Sequence, residues 1–545
     1  MKRIVVVLLT ALALNVVAKA EVYPVYFADV IKEGKNTTLH FEWRPDFKNY
    51  DKAIITNENN KVVGELKYPD NHFSIKKPNG YKNLFVTAVC MNGEKSEAVK
   101  VEINKDYSNL VVTAPAEQIV IKKGKGKNAC FVGAQSGKEF IAKGVNFCGI
   151  RTGDHDSFEP TFKVRKAHLN FQKASKGNPT FVLHDIEIGQ ELICYDPYRS
   201  ETFMRTIKAN GFNIARVFIK LGERGSKQSD VRGLSGTRDT KGISAAYMDN
   251  FIDFLTRAQK YGIYVMPCFT ENEMLDNDYF RQISKGATRQ AILFSEDGIK
   301  AKQHYIELFL KYIKEKDASL ISSLFALTMQ NEFAWHSNEA PFNQTKGTYT
   351  FIDGSEYDMT DDNERRALAN AAIQNYMSKM KEAVEANAPG MLIGEGTFSM
   401  GGVGKTYDNS KGIRTIEGNN DIRFPMTAVE YLNTDIDFLD FHLYRWGAKG
   451  TGQDVFNHFA ENMKLFTPEA KELMKSKPII MGEFGSFKEN EATLDEAIVF
   501  VQELEKAAMD FGFKGSLYWT IDTFVQTRLW NLMWEDGQML KAFKE

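Results

Sequence analysis

The sequence predicts an α/β protein, a (β/α)8 barrel preceded by a small β-sandwich. Three observations support this prediction. The 545 residues exceed the length of one ordinary domain. The first part, from 22 to about 106, contains closely spaced strand-like runs separated by turn residues. From about 128 onward, eight apolar runs alternate with helical patterns or long loops. We therefore place the sandwich at 21–106 and the barrel at 107–545.

Residues 1–20 have the pattern of a cleavable export signal. Basic MKR is followed by apolar IVVVLLTALALNVV and by the small-residue segment AKA, which ends at Ala20. The apolar run falls short of the ~20 residues that span a bilayer, which favours a cleaved signal over a membrane anchor. We expect cleavage near Ala20 and a secreted or periplasmic protein without a membrane span.

The segment 21–106 reads as a small β-sandwich. TLHFEWRP alternates apolar and polar residues, and an Asn92–Gly93 pair marks a hairpin turn between two later strands. The strand spacing is similar to that of fibronectin type III and immunoglobulin-like modules, which implies a spacer or binding role. We expect Trp43 to lie in the core.

The barrel prediction rests on eight apolar runs. They are FIAKGVNF (140–147), FNIARVFI (212–219), YGIYVMPCF (261–269), SSLFALTMQ (322–330), MLIGEGTF (391–398), IDFLDFHLY (436–444), KPIIMGEFG (477–485) and GSLYWTI (515–521). Helical patterns such as SAAYMDNFIDFLTRAQKYG lie between most of them, and several end in Gly. A doubly wound sheet is the competing fold, but no Gly-rich phosphate turn follows the first strand. The segment KKGKGKN, at 122–128, precedes a strand and is read as a solvated loop.

Composition excludes several functional classes. A net charge of −2 does not indicate a nucleic-acid partner or an anionic membrane surface. The five cysteines are too few and too scattered for a disulfide framework, although one bridge among Cys130, Cys148 and Cys194 remains open. The sequence has no CxxC or HExxH motif, so we expect no metal and no cofactor. We expect a monomer.

Polar residues accumulate where the predicted strands end. In a (β/α)8 barrel these carboxyl ends meet at one site. The set comprises Asn146, Arg216, Glu271, Asn331, Glu332, Glu395, His442, Tyr444, Glu483, Trp519 and Asp522. Any one of them could be a solvated strand end, but their concentration indicates a site.

Two carboxylates in this set, Glu332 and Glu483, fit glycoside hydrolysis. They end the fourth and seventh strands, on opposite sides of a small barrel. The reaction needs one protonated carboxyl to donate to the leaving oxygen and one ionised carboxylate to attack or to activate water. A separation of about 5–5.5 Å gives retention, and roughly 6.5–9.5 Å gives inversion.

Neighbouring residues in the sequence fit supporting roles. Arg216, His442 and Tyr444 could hold Glu483 ionised. Aromatic neighbours could raise the pKa of Glu332, as a general acid requires. Asn331 could donate to a sugar 2-hydroxyl group, and Trp519 offers a flat face for a pyranose ring.

Four short motifs carry a family resemblance. NEF at 331–333, HLY at 442–444, GEFG at 482–485 and LYWTID at 517–522 resemble clan A glycoside hydrolases, and most of all family five, the cellulase and endo-mannanase type. The resemblance covers the whole predicted barrel and implies retaining double displacement.

Specific roles follow from this resemblance. It implies that Glu332 is the acid/base and Glu483 the nucleophile, and it implies a β-linked poly- or oligosaccharide substrate, with β-mannan and β-glucan leading. The implied substrate-binding positions are Arg216, Asn331, His442, Tyr444 and Trp519.

Three alternatives stay open at the level of sequence. One is a carbohydrate-binding barrel that has lost catalysis, and another is an exo-acting β-glycosidase on short oligosaccharides. A third, a metal-dependent barrel hydrolase, would show His-x-His on the first strand, which instead ends in GVNFCG. Two long segments, 148–196 and 335–361, are expected to form walls of the substrate cleft.

Overall fold

The computed structural model describes most of the chain. The described residues are 22–25, 27–43, 49–68, 70–113, 116–147, 195–219, 234–236, 239–269, 277–287, 289–397, 405–408, 412–415, 423–424, 426–445, 448–521, 529–533 and 537–544. The predicted export signal, nearly all of the first predicted cleft wall, Glu271 and Asp522 lie outside them. The chain divides into two compact units, Met1–Ile103 and Asn104–Glu545.

The first unit is a β-sandwich. One antiparallel sheet contains Phe27–Glu33, Asn36–Glu42 and His72–Ser74, and the other contains Tyr50–Asn57, Val62–Lys67, Asn83–Cys90 and Lys95–Glu102. Their inner faces share one apolar core that includes Trp43, which is 4% exposed and donates from Nε1 to the Asp70 carbonyl at 3.1 Å. Gly93 has a φ of +83°, as the predicted hairpin turn requires. The small β-domain and the buried Trp43 are both confirmed.

The second unit contains a closed barrel of eight parallel strands in chain order. The first to eighth barrel strands are Ala142–Phe147, Ile214–Phe218, Tyr264–Cys268, Leu327–Thr328, Ile393–Thr397, Phe438–Leu443, Ile479–Phe484 and Gly515–Tyr518. Each lies inside a predicted strand segment. The first strand pairs with the eighth, Ala142 opposite Gly515, which closes the ring. The (β/α)8 prediction is confirmed.

Helices occupy the connections between the strands. Those described are Pro197–Ala209, Ala245–Lys260, Asp278–Ile283, Glu296–Asp317, Asp362–Asn387, Ala428–Leu432, Gly452–Asn462, Pro468–Leu473 and Leu494–Phe511, with 3-10 turns at Arg289–Phe294, Ala318–Ser323 and Gln538–Phe543. Leu494–Phe511 shows how the sequence sets helix ends. Thr493 and Glu496 form a capping box at its start, and Gly512, with a φ of +116°, ends it. None of the described helices has the length and apolar character needed to cross a membrane.

Short antiparallel pairs extend the loops. Trp335–His336 pairs with Arg423–Phe424, and Thr348–Thr350 pairs with Glu356–Asp358. The second predicted cleft wall, 335–361, therefore contains strand structure of its own. Lys405–Asp408 and Gly412–Thr415 form a third pair.

A small antiparallel sheet covers the N-terminal end of the barrel. Its strands are Ile119–Lys122, Cys130–Gly133 and Glu139–Phe140. Phe131 is fully buried and lies 5.0 Å from the Phe325 ring and 5.7 Å from the Phe438 ring, inside the cluster formed by the beginnings of the barrel strands. This sheet was not predicted. The predicted loop 122–128 largely joins its first two strands.

The seventh barrel strand contains one extra residue. Met481 pairs with Phe441 and Glu483 pairs with His442, so Gly482 has no opposite residue on the sixth strand. Ile480 packs in the barrel interior. Strict alternation from Ile480 would turn Glu483 outward, and the bulge instead directs it into the barrel.

Glycine is required at the bulge. A Cβ atom on Gly482 would lie 1.5 Å from Oδ1 of the buried Asp440. We therefore expect Gly482→Ala to lower the free energy of unfolding by about 1–3 kcal/mol through overpacking. Thermal unfolding measures this, with Gly80→Ala as the control because a Cβ there meets only a Lys77 atom at 3.8 Å. Equal melting temperatures for the two variants would contradict the prediction.

Candidate active site

The strand ends bring Glu483 together with two donors. Its Oε1 accepts a hydrogen bond from Arg216 Nη1 at 2.7 Å, and its Oε2 accepts one from the Tyr444 hydroxyl at 3.0 Å. The side chain is almost completely buried. Arg216 of the second strand and Tyr444, which follows the sixth, therefore meet at a carboxylate of the seventh strand.

Arg216 is the centre of the site and is fully buried. Nη1 also donates to Asn146 Oδ1 at 2.9 Å, and Nη2 donates to Asn331 Oδ1 at 2.9 Å. Nη2 lies 3.2 Å from both Cys268 Sγ and His442 Nε2. One guanidinium thus contacts side chains from five other strands or the residues that follow them, and its planar donors hold them in fixed relative positions.

His442 connects the two predicted catalytic carboxyls. Its Nε2 faces an Arg216 N–H and must accept, so we assign the ring proton to Nδ1, which donates to Glu332 Oε1 at 2.8 Å. The same Nδ1 lies 3.4 Å from Glu483 Oε2. Burial lowers the pKa of His442, which keeps the imidazole neutral.

The environments of Glu332 and Glu483 differ. Burial raises the pKa of Glu332 to about 7, and the charges of Arg216 and Arg423 oppose this only in part. This agrees with the raised pKa expected from the sequence. Burial also raises the pKa of Glu483, and the charge of Arg216 and the Tyr444 hydrogen bond offset part of this rise. The glutamate that holds the direct Arg216 contact is the better placed to be ionised, and Glu332 to keep a proton.

Glu332, His442 and Glu483 each place one ligand atom within 4.8 Å of the others. A trio of this kind could in principle hold a metal ion. The donor chemistry does not favour one, because Arg216 occupies Glu483 Oε1 and the assigned tautomer leaves no lone pair on His442 Nδ1. The spacing does bring one oxygen of each carboxyl within 4.8 Å of the other.

Asn331 and Trp519 lie at the rim of this arrangement. Asn331 uses Oδ1 for Arg216, so its Nδ2 amino group is the part available to a ligand. Trp519 is 8% exposed, and its ring meets the edge of Phe218 at 5.4 Å. The Tyr444 ring packs on Phe487 at 5.7 Å.

Two buried residues of the site were not predicted from the sequence, and one predicted strand-end residue lies outside the site. Cys268 and Asp440 are fully buried beside Arg216. Alternation in DFHLY could have revealed Asp440, because it shares a face with His442. Glu395 is paired with Leu439 on the outward face of the fifth strand and does not join the site.

The structure tests one of the three cysteines considered for a disulfide bond. Cys90, Cys130 and Cys268 do not form disulfide bonds. Cys130 therefore does not form the bridge left open by the sequence. Cys148 and Cys194 lie outside the described residues.

Comparison with known proteins was made at three levels. No protein-family profile matches the sequence, and no curated protein sequence gives a significant match. Among solved structures, an endo-1,4-β-mannanase from Rhizomucor miehei is similar, with 13% identity, a TM-score of 0.44, and coverage of 74% of this chain and 91% of the mannanase. An exo-β-1,4-mannosidase from Opitutaceae bacterium strain TAV5 shows 14% identity, a TM-score of 0.44, and coverage of 77% and 61%.

A third similar structure is a β-mannanase from the blue mussel Mytilus edulis, with 13% identity, a TM-score of 0.41, and coverage of 78% of this chain and 97% of the mussel enzyme. Likeness at this level does not transfer the activities of these enzymes to this chain. Its fold is established by its own closed barrel.

Proposed function

We propose that the protein is an exported, retaining β-glycoside hydrolase of the family-five type. The observation that carries the proposal is the pair Glu332 and Glu483, which lie just after the fourth strand and at the end of the seventh, with a carboxyl oxygen of each within 4.8 Å of the other. This close approach favours the short carboxyl separation of retaining enzymes over the longer separation of inverting ones.

In the first step, Glu332 donates its proton to the glycosidic oxygen. Glu483 attacks the anomeric carbon from the opposite face of the sugar, so the bond to the leaving group breaks as the glycosyl–Glu483 ester forms. The pKa of Glu332, about 7, keeps a large share of this carboxyl protonated near neutral pH.

In the second step, the ionised Glu332 removes a proton from water. The water oxygen attacks the anomeric carbon and releases Glu483 as a carboxylate, with the original anomeric configuration restored. His442 donates to Glu332 throughout, which fixes the orientation of the carboxyl group in both steps.

The other site residues bind or position. Asn331 Nδ2 donates to the sugar 2-hydroxyl, and Trp519 supplies the ring face. Tyr444 and Arg216 hold Glu483 in the attacking orientation through the two hydrogen bonds at its oxygens. We propose β-mannan or β-glucan as the substrate.

The test is product analysis on purified β-mannans and β-glucans, with NMR to record the first anomer released. Retention with the β-anomer formed first supports the proposal, and inversion would contradict it. A mixture of oligosaccharide lengths indicates endo action, whereas a single mono- or disaccharide indicates exo action. Sugar binding without turnover across the panel would replace the proposal with a non-catalytic carbohydrate-binding barrel.

Export can be tested in the same preparation. We propose that the chain is cleaved near Ala20 as it is exported. N-terminal sequencing of the exported protein should begin close to Glu21. An intact Met1 in the exported form would contradict this part of the proposal.

A further inference from the structure

A third carboxylate lies inside the barrel below the two catalytic candidates. Asp440, on the sixth strand, is fully buried, and its Oδ2 lies 3.4 Å from Arg216 Nε. Its Oδ1 lies 3.8 Å from His442 Nε2. The space it occupies exists because Gly482 has no side chain, since a Cβ there would overlap Oδ1. The bulge that turns Glu483 inward therefore also admits Asp440.

Arg216 divides its charge between two carboxylates. Nη1 faces Glu483 at 2.7 Å, and Nε faces Asp440 at 3.4 Å. The other titratable groups around this pair are Glu332, His442, Tyr444 and Cys268, and a second cation, Arg423, acts on Glu332. Burial raises the pKa of Asp440, and the charge of Arg216 opposes this rise. When Asp440 and Glu483 are both ionised, these two carboxylates and the one guanidinium between them carry a net charge of −1.

A net negative charge suits the reaction in two ways. The transition state of glycoside cleavage resembles a positively charged oxocarbenium ion, which an adjacent negative site stabilises. A carboxylate that shares its counter-ion also holds its electron pair less tightly and is the stronger nucleophile.

We propose that Asp440 is a positioning residue that shares the Arg216 guanidinium with Glu483. Glu483 is therefore a more basic nucleophile than it would be if Arg216 paired with Glu483 alone. The inference rests on the proposed function for its catalytic meaning. Its electrostatic part, the effect of Asp440 on Glu332 and Glu483, does not depend on turnover.

The test compares Asp440→Asn with wild type. Asn keeps the shape and removes the charge, so both Glu483 and Glu332 should lose a proton more readily. We expect both limbs of the pH profile of kcat/KM to move about one unit toward acid, and kcat at the optimum to fall about tenfold. Glu201→Gln is the matched control, because Glu201 is also a buried, ion-paired carboxylate but lies on the helix Pro197–Ala209, outside the site.

A second readout does not need activity. Infrared titration of the protonated-carboxyl band, assigned to Glu332 by its loss in Glu332→Gln, should show the Glu332 transition at lower pH in Asp440→Asn than in wild type and in Glu201→Gln. If the wild-type protein is inactive but the Asp440→Asn variant shows this shift, the proposed function is wrong and the electrostatic inference still holds. An unchanged band position and an unchanged pH profile would overturn the inference.

Folding can be separated from charge with a second substitution. Asp440→Ser is smaller and also neutral, and it should show the same direction of shift. If both variants lose only thermal stability, or if neither folds, Asp440 acts in folding alone and the inference is wrong.

Discussion

Glu483→Ala should lower kcat/KM by at least about 10³-fold, because it removes the group that forms the covalent bond to the sugar. The fold should survive, since alanine fits where Glu483 stood, although Arg216 loses one partner. Added azide should restore part of the turnover by entering the vacated space. Because azide then attacks from the nucleophile's side and no second displacement follows, the product should be the α-glycosyl azide.

The matched control is Glu505→Gln. Glu505 is half-buried, has a pKa raised by burial, and accepts a hydrogen bond from Ser516 near the start of the eighth strand, away from the mouth. It should retain near wild-type activity. Full activity in Glu483→Ala, or a β-glycosyl azide as its product, would remove Glu483 from the nucleophile role.

Glu332→Gln should show a loss that depends on the leaving group. Gln can still accept from His442 Nδ1, so the geometry is preserved while the acidic proton is removed. We expect about a 10²–10⁴-fold fall in kcat/KM for alkyl or sugar leaving groups, and a much smaller fall for activated aryl glycosides that need no proton. A uniform loss across a series of aryl leaving groups would contradict the general-acid role.

The pH dependence supplies an independent check on Glu332. Its pKa is raised to about 7, and the donating form is the protonated one. Activity of the wild type should therefore fall as pH rises through about 7, and this alkaline limb should be absent in Glu332→Gln. The acid limb should remain in both proteins, because it reports the ionisation of Glu483.

The barrel could be predicted because each strand is a short, almost wholly apolar run, as expected for parallel strands covered on both faces. The candidate site could be predicted because parallel strands deliver their carboxyl ends to one mouth. Arg216, Glu332 and Glu483 therefore meet although they are far apart in sequence.

The rest depends on contacts that local pattern does not encode. Simple alternation from Ile480 turns Glu483 outward. Only the bulge at Gly482, which pairs with neither neighbouring strand, corrects this. A glycine inside a strand was the available signal for a bulge. Glu395 shows the reverse error, since its strand-end position looked functional but its register turns it toward the helices.

The buried guanidinium of Arg216 has a practical meaning for redesign. It holds Asn146, Asn331 and Glu483 through direct hydrogen bonds, whereas the second predicted cleft wall begins at Trp335, outside these contacts. Loop libraries or grafts beyond Trp335 could therefore change which polymer is cleaved and leave the bond-breaking step intact. Substrate selectivity and catalytic rate could then be changed independently of each other.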